Sequence, residues 1–161
     1  MKIPGLKTFP PVTAERVIAA PPERIFAVLA DPHRHREIDG SGTLRGAVEG
    51  PQRLAAGSTF GMKMSQGLPY QMINTVVDYE ENRRIAWQPR PTNPLAALAV
   101  GGRIWLYELE PVAAGTRVRE SWNIGAERFP PAIWLLGGIT RRNMVRTLDR
   151  LAELTERPEP A

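Results

Sequence analysis

The stretch from Pro130 to Arg157, PPAIWLLGGITRRNMVRTLDRLAELTER, constrains this chain more than any other. It opens on two prolines, whose missing N–H groups cost nothing in the first turn of a helix. Ile133, Leu136, Gly137, Thr140, Met144, Leu148 and Leu151 then recur at helical spacing. Arg141, Arg142, Arg146, Arg150 and Glu153 fill the other side. The spacing predicts one helix of roughly 25 residues, near 37 Å long at about 1.5 Å per residue. Its first half is apolar almost all round, with Trp134, Leu135 and Ile139 outside the main stripe. Such a helix needs a broad apolar surface to lie on, and the rest of the chain must supply it.

Upstream, residues 1–11 carry three prolines and no periodicity, and read as a leader. Residues 12–157 read as a single domain and 158–161 as a tail. Val12–Ala19 alternates as a strand does. A helix starts at Ala20–Glu23, with Glu23 in the first turn, where the dipole favours an acid. Ile25, Phe26, Val28 and Leu29 supply its buried face. Asp31 is placed to cap a second short helix from Pro32 to Ile38. From there the period is two. Strands are expected at Thr43–Val48, Thr59–Ser65, Tyr70–Tyr79, Ile85–Gln88, Arg103–Glu110 and Thr116–Ile124. Between the fourth and fifth of these, residues 89–102 break the rhythm with three prolines, an apolar patch and two glycines. Consecutive strands joined by short turns make an antiparallel meander. A sheet of six or seven strands curls, and the long helix can lie in its concave side. The expected fold class is therefore α+β.

Composition narrows the function. With 42% apolar and 24% charged residues the chain is an ordinary globular sequence. The net charge of +4 comes largely from arginines spread along the chain, not gathered on one element as in a DNA-binding domain, so no nucleic-acid partner is expected. The absence of cysteine removes disulfides, thiolate catalysis and Cys-based metal sites. There is no apolar signal region and no run long enough to span a bilayer, so the expected location is cytoplasmic, without stable membrane insertion. His33 and His35, the only histidines, are two apart on a short helix and point in different directions. Flanked by Arg34 and Arg36, they are expected in solvent, with no metal. No phosphate loop, dinucleotide fingerprint or Ser-His-Asp order appears, and no cofactor is expected.

Two longer matches and one shorter one, in this order and spacing, resemble the START-like (SRPBCC) superfamily, the helix-grip fold of birch-pollen-allergen-type proteins. They are VIAAPPERIFAVLADP from Val17 to Pro32, and IWLYELEP from Ile104 to Pro111 followed by GTRVRESW from Gly115 to Trp122. RRIAW from Arg83 to Trp87 is the shorter match. Within the superfamily the sequence is most similar to polyketide cyclase/dehydrase-like bacterial proteins. Relatives often have a Pro and a Trp where this chain has Arg36 and Ile38, and the segment 89–102 is longer and more apolar than the turn expected there.

The resemblance implies a curved antiparallel sheet around the C-terminal helix, with a cavity between them that takes a small apolar or amphipathic molecule. On the last hairpin, Trp105, Tyr107 and Leu109 share one face and Val118, Glu120 and Trp122 another. If these faces point inward, Glu120 is a carboxylate among aromatics with the Tyr107 hydroxyl beside it, and both are candidate catalytic groups. Phe60, Met62 and Met64 are candidate walls, as is Trp87; Leu136, Thr140 and Met144 would face the cavity from the helix. Tyr70, Met72 and Asn74 form a further candidate face, but turning that strand over puts Ile73, Thr75 and Val77 inside instead. Three functions follow from these features. The first is binding of a lipid, polyketide or aromatic metabolite, and the second a cofactor-free cyclase, aromatase or dehydratase. The third is an interaction module, dimerising through Trp134, Leu135 and the Leu95–Val100 patch.

Overall fold

The computed structural model describes residues 9–158, so residues 1–8 of the expected leader and 159–161 of the expected tail lie outside it. The chain runs β1 (Val12–Ile18), α1 (Pro22–Leu29), a 3-10 turn (Pro32–Arg34), α2 (His35–Ile38), β2 (Leu44–Glu49), β3 (Thr59–Gln66), β4 (Leu68–Glu80), β5 (Arg84–Pro91), α3 (Pro94–Ala99), β6 (Ile104–Val112), β7 (Gly115–Asn123), α4 (Pro130–Trp134) and α5 (Gly137–Glu156). All seven strands form one antiparallel sheet in the order β1-β7-β6-β5-β4-β3-β2. The meander is thus continuous from β2 to β7, and β1 returns to pair with β7. The architecture is the α+β helix-grip arrangement expected from the order of elements.

Helix α5 runs alongside β1 in the same direction. Gly137 sits against Val12 at its start, and the Glu156 carboxylate accepts from the Ala19 N–H at its end, 3.0 Å away. Arg16 and Asp149 form an ion pair between the two elements. Met144, Leu148, Leu151 and Ala152 are buried in the core with Ile18, Ile25, Phe26, Leu29, Val118 and Trp122. The carboxylate of Asp31 caps the turn after α1 by accepting from the His33 N–H at 3.0 Å. These are amphipathic elements burying their apolar faces against one another.

Three details differ from the sequence reading. The terminal helix is two helices, interrupted at Leu135 and Leu136 immediately before Gly137-Gly138, where helical preference is weakest. Gly137 makes a close approach, since a Cβ there would stand 3.2 Å from Val12 Cγ2, but Gly138 faces open space. Strand β5 continues through Pro89 and Pro91 rather than stopping at Gln88. Beyond Trp87 it pairs with β4 alone, and Thr92 N–H bonds the Gln71 carbonyl at 3.1 Å, so the prolines of the alternate register face the unpaired side, where no ladder bond is lost. The remaining apolar patch is then a short helix, α3, capped by the Asn93 side chain, which accepts from Leu95 N–H at 2.9 Å.

Candidate functional site: a polar corner in an apolar cavity

The sheet, α2, α3 and the first half of α5 enclose a cavity of about 510 Å³. The β4 alternative resolves to the face bearing Tyr70, Met72 and Asn74, all of which line it, while Ile73 and Val77 are each 47% exposed on the outer face. Met62, Met64, Trp87, Trp105, Tyr107, Glu120, Thr140 and Met144 line it as well. Phe60, Trp122 and Leu136 do not line it. Phe60 is buried behind the wall, edge-on to His35 and Trp87 at centroid distances of 5.3 and 5.7 Å. Trp122 is buried; it pairs with Val12 of β1 and Trp105 of β6, its ring 6.1 Å from that of Trp105. Leu136 falls in the break between α4 and α5 and is 47% exposed.

The chemistry sits where β5, β6 and β7 meet α2. Hairpin β6–β7 pairs Tyr107 directly with Glu120, and side chains of a facing pair emerge on the same side of the sheet. The Tyr107 hydroxyl donates to Glu120 Oε1 at 2.8 Å, while Oε2 has no partner among the described residues. Both groups are buried, at 4% and 2% exposure, and no cation pairs with the carboxyl among the described residues. Burial therefore pushes Glu120 up to about 8 against the opposing hydrogen bond from Tyr107. Burial, with the neighbouring carboxyl, likewise raises Tyr107 well above an ordinary tyrosine. At neutral pH the pair is mostly neutral.

His35 corrects the expectation of a solvated histidine. It is 4% exposed, lines the cavity, and stacks on Trp87 at 5.0 Å, while Trp87 stacks in turn on Tyr107 at 5.3 Å. Its flanking arginines pointed outward, but the same helix turn places His35 three residues from Ile38, which is also buried. That i, i+3 pairing was the signal in the sequence. Burial lowers the imidazole from 6.5 to about 4, only partly offset by the hydrogen bond to the Leu29 carbonyl. Asn74, a candidate for a ligand carbonyl, already donates from its amide to the Phe60 carbonyl at 3.3 Å. At the mouth, Arg103 is held by the fully buried Glu127 carboxylate at 2.7 Å, which also accepts from the Gly101 and Arg103 N–H groups. Among the described residues no helix is long and apolar enough to cross a membrane.

The polyketide cyclase / dehydrase and lipid transport family matches residues 10–156. Uncharacterized protein Rv0088 of Mycobacterium tuberculosis is 35% identical over 144 residues, which is 86% of this chain and 60% of that protein. The chain thus spans about three fifths of the length of the curated relatives it matches. Among solved structures, protein MLL2253 from Mesorhizobium loti matches at a TM-score of 0.69 and 19% identity, covering 94% of this chain and 100% of that one. The di-domain ARO/CYC StfQ of the steffimycin biosynthetic pathway matches at 0.68 and 12% identity, covering 91% of this chain and 51% of that one. At these identities the structures speak for the fold. The family match, spanning nearly every described element, places this chain in the polyketide cyclase / dehydrase and lipid transport family.

Proposed function

We propose that this protein binds a small apolar or amphipathic molecule, of the lipid, polyketide or aromatic-metabolite kind, between the sheet and α5. The observation that carries the reading is the cavity, about 510 Å³, lined by Met, Trp and Tyr side chains among smaller polar ones and with a mostly apolar accessible surface. That is the size and lining of a small-molecule site, and flexible methionines suit a surface that adapts to its ligand. Native mass spectrometry of the protein after exposure to a lipid extract and to aromatic ketones is expected to show one added molecule per chain. Bare protein under every condition would retire the reading.

The same spectra weigh self-association. Trp134 and Leu135 beside the helix break, and Leu95 and Leu98 on α3, are 51–78% exposed; a homodimer closing over them fits such a surface. A dimer mass is expected, and monomer alone at high concentration counts against it. The lack of cysteine fits a cytoplasmic setting.

The hydrogen-bonded Tyr107–Glu120 pair favours a second reading, cofactor-free cyclisation, aromatisation or dehydration. Such reactions need placement and one or two proton transfers, and Glu120 would supply the acid or base. With a β-hydroxyketone that aromatises on losing water as substrate, Glu120→Gln is expected to slow turnover by about 100-fold. Equal rates would remove Glu120 from that role.

A further inference from the structure

The pairing registers gather three connections at one end of the sheet. Gln66 pairs with Leu68, Met72 with Pro91, Ile104 with Asn123 and Val12 with Trp122. The β3–β4 turn, the β5–β6 connection with α3, and the β7–α5 connection with α4 therefore all emerge there, beside the start of α5. The last two connections touch, since Arg128 donates to the Leu98 carbonyl at 3.3 Å. The cavity opens at the same end. Of its lining residues only Tyr70, Gln71, Thr92 and Asn93 are exposed, and all four stand there.

Among the described residues, every large apolar side chain more than half exposed also lies at this end. Leu68 is in the turn, Leu95 and Leu98 are on α3, and Phe129, Trp134, Leu135 and Ile139 run from the last connection into α5. The charge there has one sign. In these connections and the first two turns of α5 the single acid is Glu127, which is buried and paired with Arg103. Arg128, Arg141 and Arg142 are exposed and have no ion-pair partner among the described residues.

We infer that this end docks on a lipid surface carrying anionic headgroups, with the cavity mouth turned to the bilayer. Exposed apolar side chains flanked by arginine suit the interfacial layer, and Trp and Phe favour the boundary between water and hydrocarbon. A lipid-like ligand would then pass between bilayer and cavity without crossing water. The homodimer described above would cover the same side chains, but a two-fold copy turns arginines towards arginines, with no free acid in these connections to meet them. Anionic lipid supplies the opposite charge, so vesicles are expected to draw the protein out of the dimer.

Sedimentation of the full chain with vesicles tests this. Phosphatidylcholine vesicles containing about a third phosphatidylglycerol are expected to bind at least about tenfold tighter than pure phosphatidylcholine, with added salt narrowing the gap. On the anionic vesicles Leu135→Glu is expected to lose about tenfold or more. Arg141→Ala with Arg142→Ala is expected to lose about tenfold there and nothing on pure phosphatidylcholine. Val77→Glu, on the outer face of the sheet, is expected to bind as the parent does. All four positions are exposed, so the variants keep the fold. Equal binding to the two vesicles, or none, would overturn the inference, as would Leu135→Glu binding like the parent. A dimer that stays in solution beside anionic vesicles would give this face to the second copy instead. The cavity reading is judged apart from this one. Protein that ignores vesicles yet carries one molecule in native mass spectrometry fails only here, and protein that docks but always weighs bare fails only there.

Discussion

Glu120→Gln is expected to make the protein more stable than the parent above about pH 8, by on the order of 5 kcal/mol, and to change little near pH 4.5. The folded-state value of about 8 lies above the ordinary 4.5 because burial disfavours the carboxylate. Between these two values the folded state holds a proton that the unfolded state has released, so stability falls as pH rises through the window. It is fully present below about 4.5 and lost once pH passes about 8. A span from 4.5 to about 8, at about 1.4 kcal/mol per pH unit, sets the size of the effect. Glutamine is neutral throughout, and its oxygen still accepts from Tyr107, so the variant escapes the alkaline loss. His35 works in the opposite sense: lowered from 6.5 to about 4, it withdraws stability as pH falls through that range. That contribution is common to both proteins and cancels in the difference. Urea unfolding of the pair across pH reads it directly. A difference independent of pH would mean that Glu120 is not held as a buried neutral acid.

Gly40→Ala is expected to cost about 3 kcal/mol or more, the larger effect among the glycines that α5 touches. The turn after α2 is pressed onto the backbone of α5. A Cβ on Gly40 would stand 2.1 Å from the Asn143 carbonyl oxygen and 2.6 Å from the Thr147 nitrogen. Those atoms are main chain in mid-helix and cannot swing aside as a flexible side chain would. The same turn is bound by the Gly40 N–H to Thr147 Oγ1 at 3.1 Å and by Arg150 to the Asp39 carbonyl, so a methyl group must pry the helix off and break these bonds with it. Gly138→Ala is the control. It lies in the first turn of α5 with open space around its Cα, and alanine there is expected to gain about 0.5–1 kcal/mol. Thermal unfolding of the two variants should therefore shift in opposite directions. A Gly40→Ala protein as stable as the parent would show that α5 is not seated on this turn.

Much of the frame was legible in the sequence. Period-two alternation placed the strands, and hairpin β6–β7 brought Tyr107 opposite Glu120 because strand register is a local property of two segments joined by a tight turn. The stripe from Met144 to Leu151 marked the buried face of α5, since helical period is set by the backbone alone. What failed depended on neighbours remote in sequence. Pro89 and Pro91 look like strand breakers until β6 is seen to diverge from β5 beyond Trp87. Phe60 and Trp122 alternate correctly with their neighbours, yet both are buried in the core without lining the cavity. His35, between two arginines, reads as solvated, and only the packing of a four-residue helix against Phe60 and Trp87 buries it. Period and propensity are properties of consecutive residues, so the sequence by itself determined most of the elements, their order and the Tyr107–Glu120 pair. Only the tertiary structure decided which of their faces is covered, and therefore which polar atoms are left without partners, because desolvation comes from groups more than a hundred residues away along the chain as readily as from adjacent ones.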